Sequence, residues 1–190
     1  MYKRQLEADP ALGIVGPRIE EPDGSLYPSA RAFPAMGDAV GHAFLGLVAP
    51  RNRFTRRYRM LDVDPSVPRR VDWVSGACML VRRRCFDQLG GFDEGYFMYG
   101  EDVDLCWRAW RAGWEVGYEP GATVVHVQGV STDRAPYRMI AEHHRSLLRF
   151  WWRTTPGPRR VVLAPVVAAG LALRVVLAWA QRGLERARGR

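Results

Sequence analysis

Apolar and polar positions change period several times along the 190-residue chain. Ala11–Ile19, "ALGIVGPRI", is a short apolar run ended by Gly-Pro, which predicts a strand. "PDGS", Pro22–Ser25, predicts a turn in which Gly24 takes the positive φ that tight turns need. "LYPSARAF" then predicts a returning extended segment, and the apolar residues 36–48 a short helix. "RNRFTRRYR", Arg51–Arg59, reads as a solvated basic loop. Val71–Arg83, "VDWVSGACMLVRR", predicts one buried strand, and Gly76 inside it a bulge or the close approach of a ligand or another backbone. "RRCFDQLGGFDE" predicts a short helix closed by Gly90 and Gly91. Residues 101–112 predict a helix stopped at Gly113. Val103, Cys106, Trp107 and Trp110 fall at helical spacing and give it one buried stripe, with Asp104 and Arg108 paired on the opposite face. "WEVGYE" and "ATVVHV" predict two more short strands. This alternation of strands and helices is an α/β layer pattern.

After Thr132 the pattern changes. "PYRMIAEHHRSLLRFWWRTTPGP" predicts an amphipathic, arginine-rich helix stopped by Pro156 and Pro158. Val161–Ala180 follows with Arg174 as its one charge, long enough as a helix to cross about 30 Å of hydrocarbon. Arg174 near its middle costs about 2.5–3.5 kcal/mol of insertion free energy, and Pro165 and Gly170 weaken the helix. A helix lying in the membrane interface is the first expectation, and a span the second. A helix covering the protein's own core is the third. Basic residues flank both ends, so orientation cannot be read from charge bias. The expected organisation is residues 1–133, a basic amphipathic helix at 134–158, and a membrane-associating helix with a basic tail at 159–190.

Charge supports that division. The net charge is +8, yet residues 134–190 hold twelve arginines against two glutamates, and the remainder is nearly neutral. Such asymmetry points to a polyanionic surface as partner. Apolar residues make up 47% of the chain, which excludes general disorder. Cys78, Cys85 and Cys106 form no CxxC pair, so neither a disulfide scaffold nor a zinc site is indicated; buried, reduced thiols are expected. The one lysine, Lys3, stands in "MYKRQ", unlike the arginine-only remainder, and suggests that Met1 is not the natural start.

The candidate chemistry centres on Asp102. Glu101, Asp102 and Asp104 follow Gly100 at a helix N-terminus, where carboxylates are stabilised by the dipole and free N–H groups. Capping alone accounts for such a trio. The glycines Gly95 and Gly100 and the aromatics Tyr96, Phe97 and Tyr99 crowd the entry and suit a pocket lip, where a carboxylate can serve as general base. His126 in "TVVHV" is either a packed histidine or a neutral imidazole ligand for a divalent metal. Asp62 and Asp64 make a "DVD" with no strand leading into it, a loop coincidence.

Three blocks carry a resemblance: "LEADPALGIVGPRIEEPDGSLYPSARAFP", "VDWVSGACMLVRRRCFDQLGGFDEGYFMYGEDVDLCWRAWRAGW" and "ATVVHVQGVST". Together they resemble family 2 glycosyltransferases over roughly residues 6–155, most of all bacterial rhamnosyltransferase-like members that build cell-wall and surface polysaccharides. The resemblance implies an α/β GT-A fold, here incomplete. It implies inverting transfer of a sugar, rhamnose among the candidates, from a nucleotide-diphosphate donor to a lipid-linked or polysaccharide acceptor. It implies a divalent metal, Mg²⁺ or Mn²⁺. Asp102 matches the general base of the family's "ED" motif, flanked by Glu101 and Asp104. Trp73, Ser75, Gly76 and Ala77 match the strand lining the donor and acceptor pocket, and His126 matches a metal-ligand position. The family's nucleotide-binding unit and DxD motif precede the block matching "GIVGP" and have no counterpart here. The chain is thus expected to be a C-terminal portion, inactive alone, at the cytoplasmic face of a bacterial membrane. Two rivals remain: a non-catalytic membrane-anchored relative, and a basic nucleic-acid-binding module. The second is disfavoured because no recognition motif appears and the tail turns apolar at residue 161.

Overall fold

The structure, a computed structural model, describes residues 2–33, 49, 52–127 and 135–187. The short helix expected at 36–48 lies outside the described residues. The chain divides into two compact units, Met1–Asp93 with Glu101–Gln128, and Glu94–Gly100 with Gly129–Arg190.

The first unit is a mixed α/β layer, consistent with part of a GT-A fold. In chain order it holds α1 (Tyr2–Ala8), β1 (Leu12–Glu20), β2 (Leu26–Tyr27), β3 (Ala30–Arg31), α2 (Arg53–Tyr58), β4 (Arg69–Arg70), β5 (Trp73–Val74), β6 (Leu80–Val81), α3 (Arg83–Leu89), α4 (Glu101–Arg111) and β7 (Glu115–Val125). Strand β1 is the spine. It pairs parallel with β7, and antiparallel with β6 and β2 at opposite ends of its other edge, while β4 extends the sheet beyond β7. Strands β3 and β5 form a separate antiparallel ribbon. Ile14, Val15 and Ile19 of β1 and Val116 of β7 are fully or almost fully buried, each contributing about 1.5–3 kcal/mol of burial free energy.

Two glycines let other elements approach β1. A methyl group on Gly16 would lie 2.6 Å from Val74 Cβ, and one on Gly13 would lie 2.7 Å from Cys85 Sγ. Strand β5 and helix α3 thus sit against the β1 backbone. The expected turn is present: Gly24 takes φ 81° and donates to the Glu21 carbonyl at 2.9 Å, returning the chain into β2.

Several sequence-level expectations are corrected. Strand β1 runs through Gly16-Pro17 rather than ending there. Pro17 has no N–H, and the β1–β7 register slips between Pro17 and Arg18. The two expected strands "WEVGYE" and "ATVVHV" are one strand, β7, which absorbs that slip around Pro120. The basic stretch 51–59 holds helix α2 instead of a loop, because Asn52 Oδ1 accepts from the N–H groups of Phe54 and Thr55 at 2.9 and 3.0 Å. Val71–Arg83 is not one strand but β5, a turn, and β6, joined to different partners. Helices α3 and α4 end as expected, with Gly90 and Gly113 at φ 72° and 84°.

The second unit comprises the segment 94–100, helix α5 (Pro136–Thr154) and helix α6 (Arg159–Ala187), with α5 and α6 in contact. Helix α6 continues through Pro165 and Gly170.

Gly16→Ala is expected to lower stability by about 1–3 kcal/mol, the range for overpacking a tight interior site. Gly170→Ala, where nothing lies within 4 Å, is expected to lower it not at all. Urea denaturation of the two variants checks both expectations.

Candidate active site

Tyr99 and Gly100 have φ of 65° and 85°, and this pair turns the chain into α4. Glu101, Asp102 and Asp104 then occupy its first turn, the end where the helix dipole favours carboxylates. Asp102 is half-buried. Its Oδ1 accepts the Val103 N–H at 2.8 Å, and its Oδ2 accepts the Gly76 N–H at 2.9 Å. The second bond crosses 26 positions of sequence and ties α4 to the turn after β5. Gly76 suits that close approach, since a methyl group there would lie 3.2 Å from Asp102 Cβ and press on the carboxylate. The partner expected at Gly76 is therefore a side chain of this protein. Gly76 and Ala77 are exposed, so the pinned carboxylate borders an open surface. Charge-assisted bonds from backbone donors fix its direction without using up its four acceptor sites.

The rest of the "WVSGA" segment builds the support. Trp73 is buried and donates from Nε1 to the Ala32 carbonyl at 2.9 Å, and the Arg31 guanidinium lies 5.0 Å from its ring centre. Ser75 is buried; its N–H donates to Ser29 O at 2.8 Å, and its hydroxyl accepts the Ala77 N–H at 3.3 Å. Trp73 and Ser75 face inward, while Gly76 and Ala77 face out.

Asp104 is fully buried. It accepts Arg108 Nε at 2.7 Å, and Arg108 also donates to the carbonyls of Leu89 and Gly91 at 2.7 and 2.9 Å. The expected i,i+4 pair is present, but on a buried face, where it clamps α4 to the end of α3. The expected stripe is broader than predicted: Val103, Asp104, Leu105, Cys106 and Ala109 are buried, and Trp107 and Trp110 are partly exposed. Trp110 instead donates from its indole to the Asp72 carbonyl at 3.0 Å. Cys85 and Cys106 are buried free thiols, and burial pushes the Cys85 thiol up to about 11. Such thiols are inert packing groups.

Glu101 differs from both neighbours. Its Oε2 is, among the described residues, the buried side-chain polar atom left without a hydrogen-bond partner. Burial pushes its carboxyl up from the ordinary value, with the Asp102 charge adding to the shift.

His126 lies just past the end of β7. Its N–H extends the ladder to Glu20 O at 2.9 Å, and its ring meets Tyr27 edge-on at 6.5 Å between centres. Among the described residues no group of three or more His, Cys, Asp or Glu side chains is placed to hold a metal. Among the described residues His126 thus stands without the carboxylates that would complete a metal site. Asp62 pairs with Arg56, and Asp64 accepts the N–H and hydroxyl of Ser66 at 2.9 and 2.7 Å, as befits a loop. Sequence reading did not single out His143, His144 or Arg182, which gather beside Arg174 in the second unit; their helical spacing was the available signal.

Residues 40–146 match the family described as "Glycosyltransferase like family 2". The chain is 49% identical over 151 residues to the N-acetylglucosaminyl-diphospho-decaprenol L-rhamnosyltransferase of Mycobacterium tuberculosis, covering 76% of this chain and 49% of that protein. It is 37% identical over 98 residues to the rhamnosyltransferase WbbL of Escherichia coli, covering 52% of this chain and 34% of that protein. It is 33% identical over 143 residues to the pre-mycofactocin glycosyltransferase of M. tuberculosis, covering 75% and 23%. The chain thus spans about half the length, or less, of these curated relatives.

Two outcomes follow from this geometry. Asp104→Ala leaves Arg108 buried without its carboxylate and is expected to cost about 3–5 kcal/mol in urea denaturation. Glu101→Gln is expected to raise stability at pH 7. The folded-state carboxyl lies above its ordinary value of 4.5, so the folded protein holds the proton more tightly. The stability this gives is present below the unfolded value and is lost as pH rises through the folded one. The gain from Glu101→Gln should therefore vanish below pH 4.5 in melting curves taken across pH.

Proposed function

Because this chain belongs to glycosyltransferase family 2, we propose that it supplies the base and the acceptor side of an inverting sugar transfer from a nucleotide-diphosphate donor. The observation that carries this is the Asp102 carboxylate, aimed by the Gly76 and Val103 N–H groups and bordered by an exposed turn. In the proposed step the acceptor hydroxyl oxygen attacks the anomeric carbon while Asp102 takes its proton. The bond from that carbon to the diphosphate oxygen breaks, and the nucleoside diphosphate leaves with the electron pair. One displacement inverts the anomeric centre. Ala77 borders the acceptor, and Trp73 and Ser75 hold the turn that aims the base. Asp104 acts by fixing α4.

The relative of 49% identity is named for transfer of L-rhamnose to a diphospho-decaprenol-linked N-acetylglucosamine. By that likeness the donor sugar here is rhamnose and the acceptor a prenyl-diphosphate-linked sugar. Divalent metals are common in this family, where they stabilise the leaving diphosphate. The ligand this chain would contribute is His126, the other ligands and the nucleotide cradle falling to the part of such enzymes that the match does not cover.

A membrane setting is supported by helix α6, and the cytoplasmic face is the side on which the nucleotide-diphosphate donor proposed above would be met. Among the described residues, Arg159–Leu184 is the helix long and apolar enough to cross a bilayer, and none of its most apolar window is buried. Val161, Val162, Val166, Leu173 and Val176 are exposed along it. This exposure speaks against a helix covering the protein's own core.

The test is transfer of labelled rhamnose from a nucleotide-diphosphate donor to N-acetylglucosaminyl-diphospho-decaprenol by membranes of cells expressing the gene. Asp102→Asn keeps an acceptor for the Gly76 N–H but cannot take a proton, and is expected to lower kcat by about 10²–10⁴-fold. Retained turnover would identify another base.

A further inference from the structure

Helices α5 and α6 border an open cavity of about 480 Å³ within the second unit. Its lining includes Tyr99, Met139, Ile140, His144, Arg174 and Arg182, and no carboxylate. Arg174 is the telling residue. It sits part-buried in the middle of the most apolar helix of the chain. Among the described residues it has no hydrogen bond and no acidic partner. An unpaired guanidinium removed from water is costly, and charged residues in apolar helices generally mark ligand sites. Arg174, Ala178 and Arg182 recur every fourth position, so one face of α6 presents two cations to the cavity.

The opposite wall adds polar and aromatic groups. His144 Nδ1 lies 2.7 Å from the Ile140 carbonyl, so it carries the proton there and leaves Nε2 for another partner. His143 packs edge-on between Tyr99 and His144, with ring centres 5.2 and 5.4 Å away. Trp179 Nε1 donates to the Tyr137 carbonyl at 3.0 Å and fixes α6 against α5. Met139, Ile140 and Ala178 give the cavity an apolar wall, and the exposed side of α6 beside it is apolar as well. Cations at one side and hydrocarbon at the other fit an amphiphile with an anionic head.

We propose that the α5–α6 cavity binds the phosphate head of a prenyl-phosphate lipid, Arg174 and Arg182 taking the oxygens and the apolar wall taking the first isoprene units. The choice of a prenyl lipid rests on the function proposed above. The probe is farnesyl diphosphate, titrated calorimetrically into the 190-residue chain in neutral detergent. The chain is expected to bind it, and Arg174→Gln is expected to weaken binding by about tenfold or more. Arg160→Gln, whose guanidinium lies 5.1 Å from the Trp152 ring outside the cavity, is expected to leave binding unchanged. Because Arg174 is unpaired, its variant should melt no lower than the parent, which separates lost binding from lost fold. Undiminished binding by Arg174→Gln overturns the proposal. So does equal affinity for farnesol, which would mean an apolar groove only, or for inorganic diphosphate, which would mean a free-anion site. Binding needs no sugar transfer, so a failed transfer assay with this binding intact would remove the enzymatic reading and leave the site.

Discussion

The hydrogen bond from Gly76 to Asp102 is the constraint on which the candidate site depends. It joins a turn to a helix N-terminus across 26 positions of sequence, and each side is held from elsewhere. Gly16 has no side chain, so Val74 packs directly on β1. Val74 sets the position of Ser75, whose N–H is taken by Ser29 O at 2.8 Å. The next N–H, that of Gly76, is then left pointing at α4, where Asp102 receives it. A methyl group at either Gly16 or Gly76 would disturb the same carboxylate, one through the strand and the other directly.

The opposite side of α4 is fixed by a different interaction. Arg108 bridges Asp104 to the carbonyls that end α3, inside the protein. Breaking such a buried pair costs about 3–5 kcal/mol, against about 1.5–3 kcal/mol for a hydrogen bond to a charged group. The magnitudes divide the labour: the Asp104–Arg108 pair decides where the helix lies, and the Gly76 contact decides where the Asp102 oxygens point. Three neighbouring acidic residues thus have three environments. Asp102 is aimed toward an open surface, Asp104 is consumed in packing, and Glu101 keeps a buried oxygen without a partner.

What could be read from the sequence was mostly local. Helix α4 and its stop at Gly113, the Gly24 turn and the glycine stop of α3 all rest on contacts within a few residues. The Asp104–Arg108 pairing was legible for the same reason. Its burial was not, because that depends on carbonyls of Leu89 and Gly91 contributed by another helix. The apolar run 71–83 looked like one strand because its break is set by a distant acceptor, Asp102. Gly76 did signal a close approach, but of a ligand or another backbone, where the Asp102 side chain is what approaches. Strand β7 looked like two because Pro120-Gly121 punctuates it, and the slip is absorbed only through its pairing with β1. Helix α2 was hidden by its arginines, and its cap at Asn52 was passed over. Arg174 was legible as an oddity in an apolar helix. The cavity it faces required knowing how α5 and α6 pack.

A carboxylate base acting in one displacement has a stereochemical consequence that a covalent glycosyl-enzyme route does not share. The direct measurement is the anomeric configuration of the newly formed linkage, read by NMR against that of the nucleotide-sugar donor. A single displacement with Asp102 as base predicts inversion in the first product formed. Retention of the donor configuration would contradict it.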